Sequence, residues 1–196
     1  YAGVNPSNGE LLFLKANGDL TESPNVDTDR VWSGKNIFPD YQGSFGFTAD
    51  YKGFFLSTQF NYVVGVDRWD SDLSDFQDPT SVGQFRSSTD LLRAWTPDNR
   101  VTDIPSLTAS NFPLGGNSDR YLTDADYIRL RFVQFGYVLP SKYLKGTGFS
   151  SIKVFTNAEN LFTISKWRGF DAEAASNGSR LYPTPKTVSL GIEFAF

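Results

Sequence analysis

The sequence predicts an all-β chain of long strands with one apolar and one polar face, the pattern of a transmembrane β-barrel wall. Three observations carry this. The stretch KTVSLGIEFAF, residues 186–196, alternates strictly, with Val188, Leu190, Ile192, Phe194 and Phe196 on one face. Aromatic residues make up 16% of the 196 residues, as 18 Phe, 9 Tyr and 4 Trp, many on alternating positions. The connections run long, short, long, medium-short, long, as between the loops and turns of a barrel. An apolar wall of this kind needs a second apolar sheet against it, as in a soluble sandwich, or lipid.

Taken in order, residues 43–50, GSFGFTAD, alternate Phe45, Phe47 and Ala49 with Ser44, Gly46, Thr48 and Asp50. A tight turn at Tyr51-Lys52-Gly53 follows, with Gly53 supplying a permissive backbone. Residues 54–69, FFLSTQFNYVVGVDRW, place Leu56, Phe60, Tyr62, Val64 and Val66 on one face, and Ser57, Gln59, Asn61 and Asp67 on the other. From Asp70 to Asp124 no clear strand is visible; a short helix is expected over 81–93, where Val82, Phe85, Thr89 and Leu92 have helical spacing. Residues 126–138, DYIRLRFVQFGYV, set Ile128, Leu130 and Phe132 in one phase and Val133, Phe135 and Tyr137 in the other. A β-bulge near Phe132-Val133 would keep all six on one face. A turn around Pro140–Gly148 leads to a strand over 149–164, and a polar connection from Ser165 to Pro185 precedes the last strand. Soluble strands usually have about 5 or 6 residues, whereas several here reach about 13 to 16, enough for the roughly 9 to 11 that span a bilayer.

Composition narrows the function. A net charge of −4 and a pI near 4.8 without a basic stripe argue against nucleic acid as a partner. The absence of Cys and His removes thiolate and imidazole chemistry, so no catalytic, cofactor or metal site is expected and the chain is not read as an enzyme. No apolar run is long enough for a transmembrane helix. The start, YAGVNPSNGE, carries neither initiator Met nor the regions of a signal peptide. The mean hydropathy of −0.33 is compatible with either solution, because a barrel exposes only every second residue to lipid.

Several stretches resemble one family. NPSNGE at 5–10, DYKGFFLS at 50–57, AWTPDNRVTDIP at 94–105, YIRLRFVQFGYVLP at 127–140, VFTNAENLFTISKWRGFDAE at 154–173 and the final KTVSLGIEFAF occur in an order similar to the C-terminal barrel portion of SusC/RagA-type TonB-dependent outer-membrane transporters. The departures, Ala172 before Glu173 where Pro is usual and Trp167-Arg168 where Tyr-Lys is common, fall in an expected outer loop. The resemblance implies the last strands of a 22-stranded antiparallel barrel with long extracellular loops. The 196 residues would then be one part of a larger chain, with the plug and earlier strands elsewhere and residues 70–125 as a long extracellular loop. It also implies active import of an oligosaccharide or oligopeptide through the outer membrane. The partners would be a SusD-like surface lipoprotein, outer-membrane lipid and, through the plug, the TonB complex. A soluble β-sandwich carbohydrate-binding module is the alternative.

The candidate site residues follow from this reading. Phe196, with Phe194, is expected to act as the signal for barrel assembly, at the periplasmic interface where aromatic girdles form. Trp32 and Trp167 are loop candidates for stacking on sugar rings, whereas Trp69 is expected in the outer girdle and Trp95 against the short helix. Arg129 and Arg131 fall on the inward face, and an ion-paired lumen wall contacting the plug is preferred there to a solute-selecting ring. Asn157, Glu159 and Asn160 pose the same choice. Asp171 and Glu173 could suggest acid/base hydrolysis or a Ca²⁺ site, but a solvated loop is the plainer expectation.

Overall fold

A computed structural model describes residues 1–174 and 182–196. In chain order the strands are β1 (Gly3–Val4), β2 (Leu11–Leu14), β3 (Leu20–Thr21), β4 (Tyr41–Tyr51), β5 (Phe54–Val64), β6 (Asp67–Trp69), β7 (Leu122–Asp124), β8 (Tyr127–Val138), β9 (Ser151–Glu159), β10 (Thr163–Ser165) and β11 (Thr187–Ala195). One α-helix, α1, spans Ser71–Phe76 among the described residues. The described residues divide into two compact units, one built from Tyr1–Ile37 and Asp67–Asp124, the other from Phe38–Val66, Ala125–Ala174 and Tyr182–Phe196.

The first unit pairs β1, β2 and β3 in one small sheet and β6 with β7 in another. Its buried apolar residues include Leu11, Phe13, Ala94, Ile104 and Tyr121, drawn from positions as much as 110 residues apart. Hydrogen bonds from loop side chains fix that assembly. Asn111 donates to the carbonyls of Leu11 (2.9 Å) and Glu22 (2.8 Å) and accepts from the Leu11 amide (2.9 Å), acting as a further backbone partner along β2. The Glu10 carboxylate accepts from the amides of Ser110 and Asn111, both at 3.0 Å. Residues 70–124 therefore fold together with residues 1–37, a long-range association that no local pattern announces.

Helical structure differs from the expectation over 81–93. The α-helix lies earlier, capped by Asp70, whose side chain accepts from the Leu73 amide at 2.8 Å. Residues 79–81 and 89–93 form only short 3₁₀ turns, capped by Asp78 and Ser88. The backbone is extended at Val82 (ψ 127°) and at Ser88 (ψ 142°), so one helix cannot run through 81–93. Trp95 meets the segment around residues 6–9. Its ring lies where a Cβ on Gly9 would stand 2.7 Å away, and its Nε1 donates to the Pro6 carbonyl at 3.1 Å. Gly9, at φ 79°, is required there twice over, by conformation and by space.

The second unit is a six-stranded antiparallel sheet of order β11-β9-β8-β5-β4, with β10 paired to β8 beside β9. Its strand β11 pairs with β9 through nine positions, from Thr187↔Glu159 to Ala195↔Ser151. The register puts Phe45 opposite Phe60, Phe60 opposite Leu130, and Val133 opposite Ala158, which faces Val188. Partners across antiparallel strands share a face, so the apolar residues form one continuous surface across all five long strands.

Two strands break where one was expected. Residues 54–69 split at Gly65 (φ 78°) into β5 and β6, and Val66 turns into a small core rather than joining the row of Leu56, Phe60, Tyr62 and Val64. Residues 149–164 split into β9 and β10 around Asn160, which holds φ 54°. The β8 bulge is present, but one residue earlier than expected. Gln59 pairs with Phe132 and Phe60 with Leu130, so Arg131 is the extra residue. Ile128, Leu130, Val133, Phe135 and Tyr137 share the apolar face, while Phe132 moves to the polar face opposite Gln59 and Glu159. Among the described residues β4 and β11 are the outer strands and the sheet is open.

Candidate functional site

Two features of the sheet unit combine a defined geometry with unusual chemistry, and the first is the apolar face. Phe45, Phe47, Tyr51, Phe54, Phe135, Val154, Val188, Leu190, Ile192 and Phe194 are all exposed, Leu190 at 79% and Val188 at 70%. Large apolar side chains exposed singly are ordinary, but a contiguous patch across five strands marks contact with a partner or with lipid. Its rings also pack on one another, Phe45 stacked on Phe60 at 5.1 Å and Phe54 against Tyr137 at 4.6 Å between centroids.

The second feature is a four-charge cluster on the opposite face, beside the bulge. Arg129 is 3% exposed and points its guanidinium at the carboxylates of Asp171 and Glu173, the latter at 2.8 Å. Its Nε donates to Thr163 Oγ1 at 2.9 Å, and its guanidinium lies 5.8 Å from the Tyr127 ring centroid. Arg131, turned by the bulge, pairs with Glu173 and donates to Asn160 Oδ1 at 3.0 Å. The cluster thus joins β8 to the segments on both sides of β10. Two arginines and two carboxylates leave no net charge.

Asp171 is buried, which corrects the expectation of a solvated loop. Burial is the largest influence on its carboxyl and pushes its pKa up. The hydrogen bonds from Arg129 and from the amides of Thr184 and Glu173 together outweigh it, and hold the carboxyl below the usual aspartate range. A carboxylate so held is a poor general acid. The geometry suits a strut, not a hydrolytic pair.

The remaining candidates scatter. Asn157 accepts from Gln134 Nε2 at 2.8 Å on the polar face, and Glu159 is exposed at the end of β9. Asn160 serves the cluster and also donates to the Pro185 carbonyl at 3.1 Å. Trp167 is half-buried against Val63, Val66, Ala125, Tyr127 and Ala172, so its ring is a core element more than an open platform. Trp32, in the other unit, is 90% exposed. Trp69 meets Tyr121 edge-on at 5.6 Å. Phe194 and Phe196 both lie against Phe149, at 5.3 and 5.0 Å between centroids. Sequence reasoning missed Thr163 and Thr184, which contribute a hydroxyl and an amide. One signal was available: Arg129-Leu130-Arg131 and Asp171-Ala172-Glu173 repeat complementary charges at the same two-residue spacing.

Comparison with known proteins follows the same line. No family model matches the chain. It is 29% identical over 201 residues to TonB-dependent receptor P39 of Formosa agariphila, covering 96% of this chain and 19% of that protein. It is 28% identical over 209 residues to TonB-dependent receptor P3 of the same organism, covering 100% of this chain and 20% of that one. Among solved structures it superimposes on the RagAB peptide transporter with a TM-score of 0.88 at 30% identity, over 100% of this chain and 22% of that chain. The RagAB peptide importer in its open-open state gives 0.85 at 29% identity. The chain therefore spans about a fifth of the length of the proteins it matches.

Proposed function

The chain belongs to the TonB-dependent receptors of the SusC/RagA type, and from that premise we propose that it forms part of the wall of an outer-membrane import barrel. The continuous exposed apolar face carries this reading. In the barrel it meets lipid, and the opposite face, with Gln59, Gln134, Asn157 and the arginine cluster, lines the lumen. The strands of the wall, at 9 to 12 residues, have the length a tilted span requires. Further strands of the same protein complete a barrel of 22, the chain supplying its C-terminal part.

The cargo is an oligosaccharide or an oligopeptide, the second being supported by the likeness to a peptide transporter. A SusD-like lipoprotein closes over the extracellular loops, among them residues 70–125, and the TonB complex acts through a plug outside this chain. The process is transport, without bond chemistry. The arginine cluster stiffens the lumen wall, Trp32 is a candidate for cargo contact, and Phe194 and Phe196 belong to the assembly signal. A soluble sandwich would need a second apolar sheet to cover Val188, Leu190 and Ile192, which are exposed.

Site-directed spin labels in the membrane-embedded protein test the orientation. Labels at 188, 190 and 192 should be reached by a lipid-soluble relaxation agent, and labels at 189 and 191 should not. The inverse pattern would reject the lipid-facing assignment.

A further inference from the structure

Both connections at one end of the sheet, residues 52–53 between β4 and β5 and residues 139–150 between β8 and β9, carry charge of a single sign. Lys52, Lys142 and Lys145 are their only ionisable residues apart from tyrosine, and all three are exposed. At the opposite end of the same unit, Asp40, Asp126, Asp171 and Glu173 stand among the basic groups. The lysines are not placed at random on this rim. Lys52 sits at φ 49° in the tight turn and its ammonium lies 5.1 Å from the Tyr51 ring centroid. Tyr51 pairs with Phe54, which pairs with Tyr137, on the apolar face. Lys142 is likewise held 4.8 Å from the exposed Tyr143 ring. The aromatic row continues on the same rim through Phe149, Phe194 and Phe196.

From this arrangement we infer that the short-turn rim is a binding surface for the phosphate groups of anionic phospholipids, with Lys52, Lys142 and Lys145 as the phosphate partners. The inference rests on the lipid-facing reading of the apolar sheet face. An exposed apolar surface sets the depth of the acyl chains, and the aromatic row sets the level of the interface. A cation held over an aromatic ring keeps its outer side open to an anion. Lysine serves phosphate as a compact point charge. The two connections themselves hold no carboxylate; the nearest in sequence is Asp50, at the end of β4 and two residues before Lys52, while Lys142 and Lys145 have none within ten residues. Each lysine near an anionic bilayer surface multiplies partition by about fivefold.

The test uses the whole membrane protein that carries this chain, in nanodiscs of phosphatidylglycerol and phosphatidylcholine in equal amounts, with retained lipid counted by native mass spectrometry. The wild type should retain phosphatidylglycerol in preference. Combining K52Q, K142Q and K145Q should lower that preference at least fivefold, and each single substitution should lower it in part. The corresponding arginine variants should keep it, which separates lost charge from lost folding. K166Q with K186Q, remote in sequence from both connections, should leave it unchanged. Equal preference in wild type and the triple variant, or an equal fall in the K166Q and K186Q control, would overturn the inference. The spin-label pattern at 188–192 decides the underlying reading separately: lipid access there, combined with no effect of the lysines, rejects only the phosphate contact.

Discussion

Replacing Asp171 by Ala removes the acceptor at the centre of the charge cluster. The side chains of Arg129 and Asp171 are 3% and 4% exposed, so the guanidinium cannot turn to water when its partner is lost. Removing one member of a buried pair costs about 3–5 kcal/mol. Arg129 keeps Glu173 at 2.8 Å and Thr163 at 2.9 Å, which places this site at the lower end, about 3 kcal/mol. At tenfold per 1.4 kcal/mol this is roughly a hundredfold in the local opening equilibrium. Hydrogen exchange by mass spectrometry on the membrane-embedded protein reads it. The useful amides are those whose bonds do not involve Asp171: Leu130, donating to the Phe162 carbonyl at 3.1 Å, and Asn160, donating to the Arg131 carbonyl at 3.2 Å. Both should exchange about a hundredfold faster in D171A. Adding R129M to D171A removes the uncompensated charge and should restore part of the protection, since an absent buried pair costs less than a broken one. Protection at Leu130 and Asn160 within twofold of wild type in D171A would refute the strut, as would a double variant worse than the sum of its parts.

Acidification should act on the same contact. The Asp171 pKa is lower in the folded state than in the unfolded chain, so its stabilisation is fully present above the unfolded value of about 3.9. It is lost as pH falls through the folded value, so exchange at Leu130, corrected for intrinsic rate, should hold steady from pH 7 to about 4 and quicken below. Replacing Gly136 by Val should destabilise the sheet by about 1–3 kcal/mol, because a Cβ there meets the Phe55 ring, the Val154 carbonyl and the Phe155 Cβ; unchanged resistance to urea unfolding would contradict this. W95A should speed exchange in residues 5–10 as well as around 95, since the indole binds Pro6 and covers Gly9. An epitope tag between Gly115 and Gly116 should be detected on intact cells; detection only after permeabilisation would overturn the extracellular placement of residues 70–125.

The elements that were legible in the sequence are those whose signal is local. Side chains on a strand alternate whatever the strand pairs with, so Val188, Leu190, Ile192 and Phe194 declare one face from eleven residues alone. The turn at Lys52-Gly53 was readable for the same reason, because left-handed backbone has a residue signature. The need for a bulge in β8 also followed from a phase change between Phe132 and Val133.

Its position did not. Whether Arg131 or Phe132 is the extra residue depends on which backbone groups β5 presents and on the Asn160 amide that donates to the Arg131 carbonyl, and only the paired strands decide that. The consequence is chemical: Phe132 joins the polar face and Arg131 turns toward Glu173. The charges of Arg129, Arg131, Asp171 and Glu173 were all visible in the sequence, yet their meeting joins positions about forty residues apart. Burial of Asp171 follows from that meeting, because a carboxylate leaves water only where cations and amide donors replace it. The sequence by itself determined the faces of the strands and the residues that carry charge. Tertiary structure decided which charges meet, and with that which side chains stand open and which are locked into the wall, because desolvation and pairing are properties of neighbours in space.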